Sequence, residues 1–119
     1  MHKPVDADII ASLTAILAGI AVENPIDGAC LDSAPMVTKA LTTQGFPARK
    51  VTIAGWMDTT ETVLAFLHSA TRFDGLILDG TARQFNPTLP TVWITSEHDY
   101  LQRLAIATQV EHTSILDQQ

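Results

Sequence analysis

The chain has 119 residues, 46% of them hydrophobic and 17% charged, with a formal net charge of −6. This is a globular composition sized for a single domain over residues 1–119, large enough for a true core and too small for two. Lys and Arg number 7 against 13 Asp and Glu, and they are scattered; a phosphate backbone needs clustered cations, so nucleic acid is not expected as a partner.

In chain order, the first feature is the apolar stretch 9-IIASLTAILAGIAV-22. It is too short to span a bilayer and is interrupted by Ser12 and Thr14, so no membrane span is expected. The flanking His2, Lys3, Asp6 and Asp8 do not form the basic start of a signal peptide. Ile9, Leu13, Ile16, Leu17 and Ile20 recur every three or four residues, which predicts an amphipathic helix over about 6–22 with Asp6 or Asp8 at its positive end. The turn formers of 23-ENPIDGA-29 follow. A second helix is expected from Cys30 or Ser33 to Gln44, with Met36, Val37, Ala40 and Leu41 as its apolar stripe and Gly45 just past its end. Pro35 conflicts with a helix interior, so either the helix starts near Ser33–Ala34 or it is kinked just past Cys30.

Beyond Pro47 the pattern changes to alternation. Val51 and Ile53 predict a strand over 49–56, a turn is expected at 57–61, and 62–70 and 76–82 read as two more strands. The intervening 72-RFDG-75 holds an Asp-Gly hairpin signal. A short strand is expected near 91–94. Ser96 with Asp99 three residues on resembles a capping box, opening a last helix over about 97–108 with Tyr100, Leu101, Leu104 and Ala107 inward. Helix, helix, small antiparallel sheet and helix make an α+β architecture.

Cys30 is the single cysteine. It cannot form an intramolecular disulfide, so nothing asks for an oxidising compartment. A lone thiol is ordinarily a compact core residue; the alternative is a nucleophile, which requires a base and a group to orient that base. The hairpin supplies both. If the loop has four residues, His68 faces Asp79 directly, with Cβ atoms roughly 4.5–5.5 Å apart. If the loop is Asp74-Gly75 alone, Asp79 is the diagonal neighbour of His68 on the same face. A carboxylate fixes the tautomer of an imidazole, and an imidazolium stabilises a thiolate. A helix N-terminus would lower the thiol pKa further below its free value of about 8.5. Against this, His68 could be a half-exposed strand residue and Asp79 a turn former before Gly80. His2, His98 and His112 lie at a terminus, in a first helical turn and in a polar tail. With one cysteine and no HExxH spacing, neither a metal nor another cofactor is expected.

Gly28-Ala29-Cys30, Ala34, Leu41, Gly45, Pro47-Ala48-Arg49, Val51 and Gly55 resemble the nucleophile helix and following strand of transglutaminase-like and papain-like cysteine enzymes. The segment 68-HSATRFDGLILDGTARQF-85 resembles their His strand, hairpin and Asp strand, and its ending is similar to a bacterial branch of papain-fold toxins and protein deamidases. The resemblance covers about residues 26–95. It implies a papain-like core with N-terminal helices packed on a small antiparallel sheet and a C-terminal helix. It also implies Cys30 as nucleophile, His68 as general base and acid, and Asp79 as orienter.

The oxyanion would be held by the Cys30 backbone N–H and one further donor. Asn24 occupies the place of an upstream oxyanion Gln, and Gln84 is a second candidate; a helix-ending Asn and a sheet-end polar residue are the plain alternatives. Trp56 would roof a substrate channel, unless it is a core or rim aromatic. The expected reaction is attack on an acyl or carboxamide carbon through a Cys30 thioester. Protein-glutamine deamidation on a glutamine-bearing protein or peptide is favoured, in the cytoplasm and by a toxin or effector domain. A cysteine protease or transglutaminase of the same fold is the alternative, and a non-catalytic interaction module is the contrasting class.

Overall fold

The structure, a computed structural model, describes residues 6–58 and 61–116, apart from the side chain of Thr62. Helix α1 (Ala7–Ala18) starts where its sequence says: the Asp6 carboxylate accepts from the backbone N–H groups of Asp8 at 2.8 Å and Ile9 at 3.1 Å, satisfying donors the helix leaves open. It stops at Gly19, short of the expected 22. Helix α2 (Cys30–Thr43) begins at the cysteine itself. Pro35 therefore lies within the helix and the Leu31 carbonyl loses the bond that residue 35 would donate; the ring sits on the exposed side. Gly45, at φ +89, takes the left-handed conformation that ends the helix.

Five strands follow in the order β4-β3-β2-β1-β5, every described pair antiparallel. They are β1 (Arg49–Asp58), β2 (Thr62–Phe73), β3 (Leu76–Asp79), β4 (Trp93–Ser96) and β5 (His112–Leu116). Met57 and Asp58, expected in a turn, continue β1; residues 59–60 lie outside the described chain. The four-residue loop gives way to the two-residue Asp74-Gly75, whose φ values of 49 and 79 match the right-handed twist of a hairpin. The strand expected over 76–82 ends at Asp79 and passes into a 3₁₀ turn, Ala82–Gln84. Helix α3 (Glu97–Thr108) is capped by Ser96 Oγ accepting from the Asp99 N–H at 3.3 Å.

Strand β5 replaces the expected polar tail. Its residues alternate: Thr113 and Ile115 turn inward, with Thr113 Oγ1 donating to the Leu101 carbonyl at 2.9 Å, while Ser114 and His112 lie on the other face.

Side chains alternate between two cores. Leu13, Leu17, Val37, Leu41 and Leu78 join α1 and α2 to one face. Val51, Ile53, Ala70, Ile77, Tyr100 and Leu104 join α3 to the other. Each fully buried Leu or Ile contributes about 1.5–3 kcal/mol of transfer free energy, so both helical layers are pinned to the same sheet, and with them the residues at its centre.

Candidate active site

The hairpin loop sets the geometry of the site. With Asp74-Gly75 as the loop, Thr71 pairs with Leu78, so Asp79 is the diagonal neighbour of His68. Both side chains point to the α3 face, in step with Ala70 and Ile77. His68 Nε2 and Asp79 Oδ2 are 2.7 Å apart. The same carboxylate accepts the Thr81 backbone N–H at 2.8 Å and the Thr81 hydroxyl at 3.3 Å on Oδ1, and the Tyr100 hydroxyl at 2.6 Å on Oδ2.

Tyr100 was legible only as an inward-facing helix residue. A buried Tyr needs a partner for its hydroxyl, and an acidic residue on the facing strand was the signal available.

Cys30 approaches from the other side of the sheet. Helix α2 rests on the face carrying Ser69 and Thr71; Thr71 Oγ1 donates to the Ala34 carbonyl at 3.1 Å, and Thr38 Oγ1 is 3.0 Å from Thr71 Oγ1. At the helix start the Cys30 thiol receives the backbone N–H of Ser69 and interacts with His68. Since Nε2 is held by Asp79, Nδ1 is the ring nitrogen left for sulfur. That contact is loose: Nδ1 has no fully formed hydrogen bond, yet ring and sulfur are close enough for each to move the titration of the other. Nucleophile–base contacts commonly tighten only when substrate binds. Cys30 is 4% exposed.

The electrostatics follow. Burial pushes the thiol pKa up, but the close approach of His68, the Ser69 N–H and the imidazolium charge outweigh it and bring it below its ordinary value. Burial pulls His68 down, and the Asp79 charge and hydrogen bond, helped by Cys30, push it up to about 9. Burial likewise opposes ionisation of Asp79, and His68, Tyr100 and Thr81 together hold its carboxyl below the usual range. Burial and the adjacent carboxylate keep Tyr100 protonated well above 10. A lowered thiol beside a raised imidazole shifts the pair toward thiolate and imidazolium, the charge state in which a thiol is nucleophilic.

The fold has a counterpart among solved structures. The chain is similar to the C-terminal region of Pasteurella multocida toxin, whose crystal structures reveal a thiol-protease-like catalytic triad, with a TM-score of 0.65 and 17% identity. The match covers 94% of this chain and 18% of that one, so this chain spans under a fifth of its length. The fold is papain-like. No family model and no curated protein sequence matches the chain.

The remaining expected site residues separate. Gln84 closes the 3₁₀ turn after Asp79, half-buried, with a buried side-chain oxygen that has no hydrogen-bond partner. Phe85, next to it, sets its ring edge-on to His68 with centroids 4.9 Å apart. Asn24 is exposed in the segment between α1 and α2. Trp56 stacks on His112 at 5.4 Å, where β1 meets β5, and not over the imidazole. A groove of about 830 Å³ lies at the hairpin end, lined by residues such as Pro47, Arg49, Arg72 and His98; Cys30, His68 and Asp79 do not line it. Among the described residues no cluster of His, Cys, Asp and Glu could hold a metal ion.

Proposed function

We propose that this protein is a cysteine-dependent acyl-transfer hydrolase acting on carboxamides, with Cys30 as nucleophile, His68 as acid and base, and Asp79 as orienter. The carrying observation is the placement of His68, held through Nε2 by a buried carboxylate with its other nitrogen turned to a thiol of lowered pKa. The Cys30 sulfur attacks the carbonyl carbon and the carbonyl π-electrons move to oxygen. The Cys30 N–H, which has no intrahelical acceptor at the first helical position, donates to that oxyanion, and the Gln84 carboxamide supplies the second donor. His68 gives its Nδ1 proton to the departing nitrogen, leaving a thioester. Water then attacks, His68 takes a proton from it, and a carboxylate leaves as the thiolate returns.

The finer reading is deamidation of a protein glutamine, in which ammonia is the departing amine. Peptide-bond hydrolysis uses the same steps with a chain amine leaving, and the thiol-protease-like triad of the structural neighbour favours it about equally. Intact mass of glutamine-bearing protein substrates separates them: deamidation adds the difference between a hydroxyl and an amino group at each site, while proteolysis divides the chain. Conversion of neither kind, with Cys30 reactive, would leave an amine acceptor, the transglutaminase reaction, as the remaining outcome to assay.

A further inference from the structure

The sheet face that α2 covers ends where the helix ends. Along β2 on that face, Thr71 is 0% and Ser69 6% exposed, and then Leu67 is 56% and Leu64 57% exposed. The change falls at Ser69, whose backbone N–H meets the Cys30 sulfur. The nucleophile therefore stands at the border between covered and open sheet. Across β1 the neighbours are the buried Ala54, paired with Leu67, and the half-buried Trp56, paired with Leu64, so the open area is formed by the two leucines. From the helix side it is flanked by Leu31, 68% exposed, on the same helical stripe as Ala34 and Thr38, which touch Thr71 one and two turns on. Exposed large apolar residues gathered in one place mark a contact surface.

The segment that brings Cys30 to this face is acidic. The segment 23–32, which delivers Cys30, contains the exposed Glu23, Asp27 and Asp32 and no Lys or Arg, whereas Arg49, Lys50 and Arg72 sit at the hairpin end of the sheet.

We infer that the open apolar face beside Cys30 docks a polypeptide substrate whose target residue is flanked by an apolar and a cationic side chain. This rests on the proposed thiol chemistry and adds to it the class of sequence that is attacked. The apolar side chain lies over Leu64, Leu67 and Leu31 while the cation meets Asp32 and its neighbours, and the chain between them crosses the Cys30 sulfur. Because the triad sits at the edge of this surface, docking there is what brings a carbonyl to a nucleophile that is otherwise nearly closed off.

The test uses two short peptides carrying, in place of the target glutamine, a side-chain chloromethyl ketone that alkylates the thiolate. One has Leu and Lys beside the electrophile and the other Ser and Glu. Iodoacetamide serves as the unspecific reference, and labelling is read by intact mass. The Leu-Lys peptide is expected to label Cys30 at least about tenfold faster than the Ser-Glu peptide, a difference worth about 1.4 kcal/mol, and the preference should shrink in high salt. Leu67→Ser and Leu64→Ser, both at exposed positions, should remove the apolar share of that preference and leave the iodoacetamide rate unchanged. Equal rates for the two peptides overturn the docking inference whatever the iodoacetamide rate, which reports the thiolate separately. A stable dimer that Leu67→Asp turns into a monomer would assign the face to a second copy and overturn it as well.

Discussion

In the proposed reaction Asp79 has no direct part in bond making, yet more donors converge on it than on any other described side chain of the site: His68 Nε2, the Tyr100 hydroxyl, and the N–H and hydroxyl of Thr81. Each keeps the carboxylate charged in a buried place, and the charged carboxylate keeps His68 protonated up to about 9. The sign of the pH dependence follows. In the proposed reaction His68 acts first as an acid, so turnover should fall as pH rises through about 9, while alkylation of the Cys30 thiolate, which needs no proton donor, should hold or rise. A joint fall would mean that the imidazole does not supply the proton. Tyr100→Phe removes one donor from a buried anion, a loss of about 1.5–3 kcal/mol; thermal unfolding should record it, and turnover should drop with little change in the iodoacetamide rate. The spacing of His68 and Asp79 in sequence was enough to place them together in either hairpin register. Tyr100 was not legible as their partner because its contact depends on how α3 crosses the sheet, which no local pattern encodes.

Among the elements, the β1–β2 pair reaches the active site through a chain of aromatic rings. A methyl group added at Gly55 would collide with the Phe66 ring; Phe66 packs on Phe85 at 4.8 Å and Phe85 on His68 at 4.9 Å. Gly55→Ala should therefore cost about 1–3 kcal/mol by overpacking and also lower turnover, since the displaced ring presses toward the imidazole; unchanged activity and stability would show that the stack is slack. Helices α1, α2 and α3 were legible because most of their apolar stripes, the acidic start of α1, the Ser96 cap and Gly45 agree, although Met36, expected in the inward stripe of α2, is exposed. Their neighbours were less so. Strand β5 looked like a polar tail because only Thr113 and Ile115 turn inward and the strand lies at an edge. The continuation of β1 through Met57 and Asp58 was hidden by turn-forming neighbours. The end of β3 at Asp79 is set by tertiary contact: Gly80 backs onto Ala21, leaving no room for a Cβ, and its carbonyl accepts the Val22 N–H at 2.8 Å. Pro35 shows local preference yielding to context, since α2 begins at Cys30 despite it.

For the whole molecule, one sheet serves two cores, and the proposed triad is assembled across it: the sulfur from the α2 side, the imidazole and carboxylate from the α3 side. Loss of either layer would separate them. Unfolding should therefore be a single cooperative transition, with tryptophan fluorescence, to which the buried Trp93 of the α3 core contributes, coincident with far-ultraviolet circular dichroism; two separated transitions would mean that the layers fold as independent units. The central claim is the activated thiol, and the rate of Cys30 alkylation by iodoacetamide tests it most directly. Near about pH 6 an ordinary thiol, with a pKa near 8.5, is almost wholly protonated and reacts slowly. The folded wild type should react at least about tenfold faster than such a thiol, and His68→Ala should abolish the excess. An ordinary rate in the folded wild type, or a fast rate that survives His68→Ala, would contradict the account.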